Sequence, residues 1–473
     1  MTIAISRRTL LRGSLGVTTA GALAGLTTAS ADGSPRPGTP RTDAEIYGVT
    51  TKDPLISQRA DPWITRPIGG TYFFTGSVPE YDRLVVRGAS TIEGLATAEE
   101  SVIWRRPASG TMGGHIWAPE LHRIGGRWYI YFAAGDADNV FRIRTYVLES
   151  ALDDPRDPAG WTLKGRLMTE WDGFTLDATS FTHRGRQYLV WAQSEPEIAV
   201  NSSLYIARMA NPWTFATKPT RIATPTLSWE ILGYRVNEGP AVLIRNGRVF
   251  LTFSASATDA RYAMGLLTAD ADADLLKRES WVKTPDPIFV TNEKTQRYGP
   301  GHNSFTVAED GRTDVLVYHA RDYADITGDP LYDPNRHTRV QKLYWHEDGT
   351  PLFGIPVGDG GPIVRLSPAD APRSFVRHTD DVIKAEKAPY DLEKTQFRFV
   401  KAADGTETIQ SVDEPAKFVT VTGTVVSLSA AGTPVTRVAS RDGVTVRVAP
   451  GRYLRHVKGA ITVSDKATAF ILS

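Results

Sequence analysis

Five ionisable residues recur at a near-constant interval along this chain. Asp61 sits in Arg59-Ala60-Asp61-Pro62-Trp63, His115 in Gly113-Gly114-His115-Ile116-Trp117, Asp177 in Thr175-Leu176-Asp177-Ala178-Thr179, Glu238 in Asn237-Glu238-Gly239-Pro240, and His302 in Gly299-Pro300-Gly301-His302-Asn303. The steps between them are 54, 62, 61 and 64 residues. Three carboxyls brought to one place suit the hydrolysis of a glycosidic bond. An acetal is inert to base, so its leaving oxygen needs a proton donor. The oxocarbenium-like centre that forms needs either a carboxylate nucleophile or a base-activated water on the opposite face. A third carboxyl can raise the donor's pKa by like-charge proximity. Taken singly, each residue has a plainer reading. Asp61 before a proline suits a turn, Asp177 a cap, Glu238 a solvated loop, and the histidines satisfied core positions. The shared interval argues for a site.

Residues so far apart meet only if a repeated unit carries them. Short aromatic and β-branched runs recur at Thr71-Tyr72-Phe73-Phe74, Arg127 to Phe132, Gln187 to Trp191, Arg248 to Phe253 and Asp314 to Tyr318. Each follows a turn containing glycine: Gly69-Gly70, Gly125-Gly126, Gly185, Gly247 and Gly311. This is hairpin chemistry. The centres of the runs lie 57, 59, 62 and 65 residues apart, close to the step of the ionisable set. A period near sixty with several short strands per unit predicts an all-β chain built on a five-bladed β-propeller. Sugars stack their C–H faces on aromatic rings, which makes Trp63, Phe74 and Trp117 candidate substrate contacts. His115 and Arg339, the latter preceding Leu343-Tyr344-Trp345, could also reach the channel. Packing between blades is the alternative for each ring, and His319, inside a strand, is expected to be packed.

In their order, Asp61-Pro62, Ile116-Trp117-Ala118-Pro119-Glu120, Leu176-Asp177, Glu238-Gly239-Pro240 and Gly301-His302-Asn303-Ser304 resemble glycoside hydrolase family 43 over roughly residues 50 to 360. The resemblance implies an inverting, five-bladed enzyme acting on arabinose- or xylose-containing polysaccharides. Asp61 would be the general base, Glu238 the general acid and Asp177 the residue that orients the acid and tunes its pKa. His302 would sit at the bottom of the channel, beside a structural calcium or sodium ion or water, with no cofactor required. Ala178, where many relatives have proline, departs from the pattern and bears on Asp177. The expected activity is release of terminal α-L-arabinofuranosyl residues from arabinan or arabinoxylan. The rivals are a β-xylosidase, an arabinanase, and a non-catalytic sugar-binding propeller, which would not need a proton donor.

The texture changes after about Ser367. Ser374-Phe375-Val376-Arg377-His378 resembles Arg452-Tyr453-Leu454-Arg455-His456, with Lys417-Phe418-Val419-Thr420-Val421 between them. Units of about forty residues predict a small β-trefoil. The third unit is similar to the arabinofuranose-binding modules of carbohydrate-binding module family 42. That likeness implies sugar contacts from Tyr453, His456 and Asp465, and less directly from His378 and Asp391. A trefoil that only packs on the propeller is the alternative.

Ser6-Arg7-Arg8-Thr9-Leu10-Leu11, a mild apolar stretch and Ala29-Ser30-Ala31 read as a twin-arginine-like export signal over residues 1–31, with a flexible spacer over 32–48. The propeller is assigned to 49–366 and the trefoil to 367–473. A net charge of +1 gives no basic surplus for nucleic acid, and 41% hydrophobic residues without a long mid-chain apolar run fit no multi-span membrane protein. The chain has no cysteine, which excludes disulfide scaffolds, thiolate metal sites and cysteine nucleophiles. A secreted monomer acting on plant cell-wall polysaccharide is expected.

Overall fold

The computed structural model describes residues 52–358 and 360–473. The export signal and the spacer lie outside these residues. No α-helix occurs among them; besides strands there are only single turns of 3-10 helix.

Five antiparallel sheets follow one another in the first three hundred described residues. The first is Ala60–Ile64, Tyr72–Ser77, Arg83–Ala89 and Ser101–Arg105; the second is Ile116–Ile124, Arg127–Ala134, Arg144–Ser150 and Trp161–Arg166. The third runs Thr175–His183, Arg186–Gln193 and Ser203–Asn211, edged by Thr214–Phe215 and Thr220–Ala223. The fourth is Asn237–Arg245, Arg248–Ala255, Ala263–Asp270 and Val282–Lys283; the fifth is Tyr298–Val307, Asp314–Arg321 and His337–Lys342. The recurrent aromatic runs are thus the second strand of every blade. The start of the described chain completes the fifth sheet: Leu55 N–H donates to Thr338 O (2.9 Å) and Thr338 N–H to Ile56 O (2.9 Å). Closing the ring this way leaves no free gap between first and last blade.

Five separate apolar cores fill the five gaps between neighbouring blades. Phe73, Leu84 and Val86 pack on Ile116, Ile130 and Phe132 between the first and second; Phe74 and Ile64 pack on Val315, Val317 and Val340 between the first and fifth. The remaining three cores join the second to the third, the third to the fourth and the fourth to the fifth blade. Alternation along the second strand sends successive aromatic residues to opposite gaps.

The innermost strands share a defect. Each slips register at least once against its partner near a residue with positive φ: Asp61 (51°), Ala118 (46°), Asp177 (55°), Gly239 (53°) and His302 (42°). Such bulges twist a strand and re-aim its side chains. The backbone N–H freed by the bulge is captured from the preceding blade. Ala118 N–H donates to Ser77 Oγ (2.7 Å), Gly239 N–H to Asp177 Oδ2 (2.9 Å), His302 N–H to Ser254 Oγ (2.7 Å), and Asp61 N–H, across the closure, to His319 Nδ1 (3.1 Å).

The tail has the pairing of a β-trefoil. Three hairpins, Ser374–Thr379 with Val382–Lys387, Phe418–Thr422 with Val425–Ser429, and Arg452–Val457 with Ala460–Ser464, meet in a closed triangle through Val382–Ser427, Lys384–Ala460 and Val425–Thr462. Three further pairs, Leu366–Pro368 with Ala469–Leu472, Phe397–Lys401 with Glu407–Ser411 and Thr436–Ser440 with Gly443–Ala449, form the barrel around one apolar core. Pairing begins at Ile363, which faces Arg398.

Candidate active site

A cavity of about 590 Å³ opens on the propeller and is lined by Asp61, Asp177, Glu238, His302, Trp117 and Arg336, among others. The three carboxyls come from the first, third and fourth blades, and all sit at or beside the inner-strand bulge. A non-glycine residue with positive φ is uncommon and persists where the surroundings over-determine it. At Asp61 and His302 the captured N–H groups, and at Asp177 the carboxyl that holds Gly239 N–H, supply that constraint together with the dense polar neighbourhood.

The environments of the three carboxyls differ. Asp61 Oδ2 accepts from Ser77 Oγ (2.5 Å), while Oδ1 lies 3.2 Å from the Arg336 guanidinium and 3.3 Å from His302 Nδ1. Burial pushes Asp61 up, but Arg336, His302 and His319 outweigh it and hold the carboxyl well below the usual range. Glu238 is pushed up to about 7, first by burial, against a hydrogen bond from Tyr262 (2.8 Å) and with the Asp61 charge adding to the rise. Asp177 is raised well above its ordinary value by burial and by the Glu238 and Asp61 charges; the N–H of Gly239 on Oδ2 opposes this only in part. With Asp61 ionised, the Glu238–Asp177 pair therefore keeps a proton near neutrality. His302 spans the two aspartates, with Nδ1 3.3 Å from Asp61 and 3.8 Å from Asp177. Among the described residues no group of three or more His, Asp or Glu side chains is arranged to hold a metal. Gly239 matters here because a Cβ at its φ of +53° would lie 3.1 Å from the His302 ring.

The arrangement offers an ionised base, a protonated acid and a third carboxyl beside the acid, in one pocket with an aromatic wall. That is the equipment for acetal hydrolysis derived above. The sequence model of glycosyl hydrolases family 43 matches residues 51–351. The chain belongs to glycosyl hydrolase family 43. It is 55% identical over 361 residues to an extracellular exo-α-(1→5)-L-arabinofuranosidase of Streptomyces avermitilis, covering 76% of this chain and 75% of that one. It is 51% identical over 407 residues to α-L-arabinofuranosidase 43 of Humicola insolens, covering 84% of each. A solved α-L-arabinofuranosidase from Lactobacillus brevis is 54% identical, with a TM-score of 0.64 over 65% of this chain and 98% of its own.

Four of the five expected positions fall on inner-strand bulges of this family 43 propeller; His115 does not. The equivalent place in the second blade is Ala118, and His115 precedes the strand. His115 stacks on Trp117 (4.8 Å, 23°), and burial pushes its imidazole down to about 4, so it backs the wall that Trp117 presents to the cavity. Three other expectations need correction. Phe74 is wholly buried between the first and fifth blades. Trp63 packs on His122 (4.5 Å) between the first and second. Both follow from alternation, which sends these rings into gaps rather than toward the axis. Arg339 is fully buried, held by Asp53 (2.5 Å), Asp322 (2.6 Å) and Ala320 O (3.3 Å). Arg336, just ahead of the strand His337–Lys342 that carries Arg339, reaches Asp61 instead.

Sequence reasoning missed Arg336, Tyr262 and the role of His319, which touches the base although it is packed as expected. It also missed a buried pair behind Asp177: Glu120 Oε2 and His122 Nε2 are 2.9 Å apart. Burial raises the carboxyl and lowers the imidazole to about 3, which favours the uncharged form of both. In Trp117-Ala118-Pro119-Glu120 the acidic residue was the available signal.

In the trefoil, His456 Nδ1 meets Asp370 (2.9 Å) and Nε2 accepts from Gly459 N–H (3.0 Å). Tyr453 is half-buried and Asp465 exposed on the following turn, so the carboxylate beside His456 is Asp370 rather than Asp465. His378 pairs with Asp413 (2.7 Å), and Asp391 with Arg377.

Proposed function

We propose that this family 43 chain is a secreted, exo-acting α-L-arabinofuranosidase that releases terminal α-L-arabinofuranosyl residues from arabinan-type polysaccharide with inversion. The observation that carries this is the arrangement inside one pocket: Asp61, Asp177 and Glu238 line a single cavity, Arg336 and His302 stand against Asp61, and the Tyr262 hydroxyl stands against Glu238, which together with burial favours an ionised Asp61 and a protonated Glu238. Asp61 takes a proton from the attacking water as Glu238 gives one to the departing oxygen. Asp177, whose own proton affinity is raised by Glu238, keeps the acid charged with its proton until the bond breaks. Inversion requires the two acting carboxyls to stand about 6.5–9.5 Å apart, leaving room for the water. The sugar and the extracellular site follow the relatives' names, and the paired arginines near the start agree with export. We assign catalysis to residues 49–366, acting as a monomer and drawing on side chains alone, and sugar holding to the trefoil of 367–473 through Tyr453, His456 and Asp465.

Incubation with aryl α-L-arabinofuranoside and aryl β-D-xyloside, followed by NMR of the first anomer released, tests this. The arabinofuranoside should be cleaved at least tenfold faster, and the first product should be the β anomer. Retention of configuration would remove the roles of Asp61 and Glu238, and preference for the xyloside would remove the sugar assignment. Retardation of the Glu238→Gln protein in arabinan-containing gels, lost on replacing Tyr453 and His456, checks the trefoil.

A further inference from the structure

The acid and the base are joined by a pair of side chains that the reaction as drawn does not use. Tyr262, from the turn before Ala263–Asp270, donates its hydroxyl to Glu238 Oε1 (2.8 Å). Its ring lies parallel to that of His319, 7° apart with centroids at 5.7 Å. His319 in turn accepts the backbone N–H of Asp61 on Nδ1 (3.1 Å). Gly301, which faces His319 across the fifth blade, is the floor of this arrangement: a Cβ there would fall 2.4 Å from the Tyr262 ring. Both side chains, Tyr262 and His319, are buried. Burial pushes the Tyr262 hydroxyl well up, so it stays a neutral donor, and burial lowers His319 to about 3, so it stays a neutral acceptor.

Resting on the assignment of Glu238 as acid, we propose that Tyr262 is the positioning residue of that acid: its hydroxyl fixes the Glu238 carboxyl, and its ring, seated on Gly301 and against His319, ties the acid to the strand that holds the base. The hydrogen bond favours the carboxylate that remains after proton delivery, so it also sets how strong an acid Glu238 is. The other groups facing Glu238 are Asp61, Asp177, Arg336 and His302, and none of them donates to Oε1.

The test is the pH profile of kcat/KM on an aryl α-L-arabinofuranoside. Tyr262→Phe keeps the ring and removes only the donor. The alkaline limb should move up by about 0.5–1 pH unit, because Glu238 then holds its proton to higher pH, and kcat on arabinan oligosaccharides should fall about tenfold with KM changed less than twofold. Gly301→Ala keeps the hydroxyl but displaces the ring that carries it away from Glu238. It should shift the limb in the same direction, and the double variant should add nothing to Tyr262→Phe. An alkaline limb unmoved in both single variants, or additive shifts in the double, overturns the proposal. If Glu238→Gln itself leaves activity on natural linkages intact, the acid assignment falls and Tyr262 with it. If that variant is inactive while the Tyr262→Phe limb stays in place, only the role of Tyr262 falls.

Discussion

The propeller pocket and the trefoil use the same residue types to opposite ends. In the trefoil, each buried carboxylate has its own cation or donor, Asp413 with His378 and Ser411 and Glu407 with Arg437, and the exposed Asp370 is likewise matched by His456. Two of these links cross from one threefold unit to the next and act as staples. In the pocket, three carboxyls face a single guanidinium. Arg336 is 3.2 Å from Asp61, and Glu238 and Asp177 are left to share a proton. Where charges are matched, ionisation is settled and the pair contributes structure. Where they are outnumbered, burial and like charge separate the proton affinities, and that separation is what acid–base catalysis needs.

The sharpest way to break this contrast is to remove the protonated member. Glu238→Gln should cost about 10²–10⁴-fold in kcat on natural linkages. It should also raise the melting temperature near neutral pH by about 2 °C. The sign follows from linkage. The folded value of Glu238 is about 7 against a reference of 4.5, so its ionisation destabilises the fold progressively as pH climbs from about 4.5 to 7, and Gln removes that penalty. A variant that is both inactive and less stable at pH 7 would contradict the account. Arg336→Met tests the outnumbered balance directly. With its main counter-charge gone, burial lifts Asp61, so the acidic limb of the pH profile should move upward and kcat/KM should fall about 10–100-fold. An acidic limb left in place would show that the histidines alone hold Asp61 ionised. The smallest effect belongs to the trefoil. Asp413 is held below its ordinary value, burial being outweighed by His378 and Ser411. Its contribution to stability is present above the unfolded carboxylate range and is lost as pH falls through the folded value. Asp413→Asn should lower the melting temperature by about 2 °C at pH 7, and by less at pH 3, with turnover of the aryl arabinofuranoside unchanged. A loss of turnover would mean the two regions are not separable in this way.

Much of the ring was legible because a blade is a local object. Gly125-Gly126 before Arg127 to Phe132, and its four counterparts, state a turn and a strand in consecutive residues, and their spacing states how many times the unit recurs. Asp61, Asp177, Glu238 and His302 could be read from the same spacing. His115 could not be told from Ala118 by spacing alone, since the bulge that defines the inner position leaves no mark in residue type. Trp63 and Phe74 were misplaced for a related reason: aromatic residues serve sugar and core equally well, and only the direction of each side chain on its strand separates the two. Arg339 and Arg336 differ by three residues and by a complete change of surroundings.

The amino-acid sequence by itself determined the number of blades, the place of Asp61, Asp177 and Glu238 on them, and the threefold tail, because each rests on turn chemistry and on repetition along the chain. The tertiary structure alone decided which arginine answers Asp61, that Tyr262 bonds Glu238 while His319 holds the backbone of Asp61, and that Glu120 pairs with His122 behind Asp177. Those facts depend on side chains from different blades meeting in a water-poor centre, where distance in space and degree of burial set the charge, and neither quantity is encoded by neighbours in the chain.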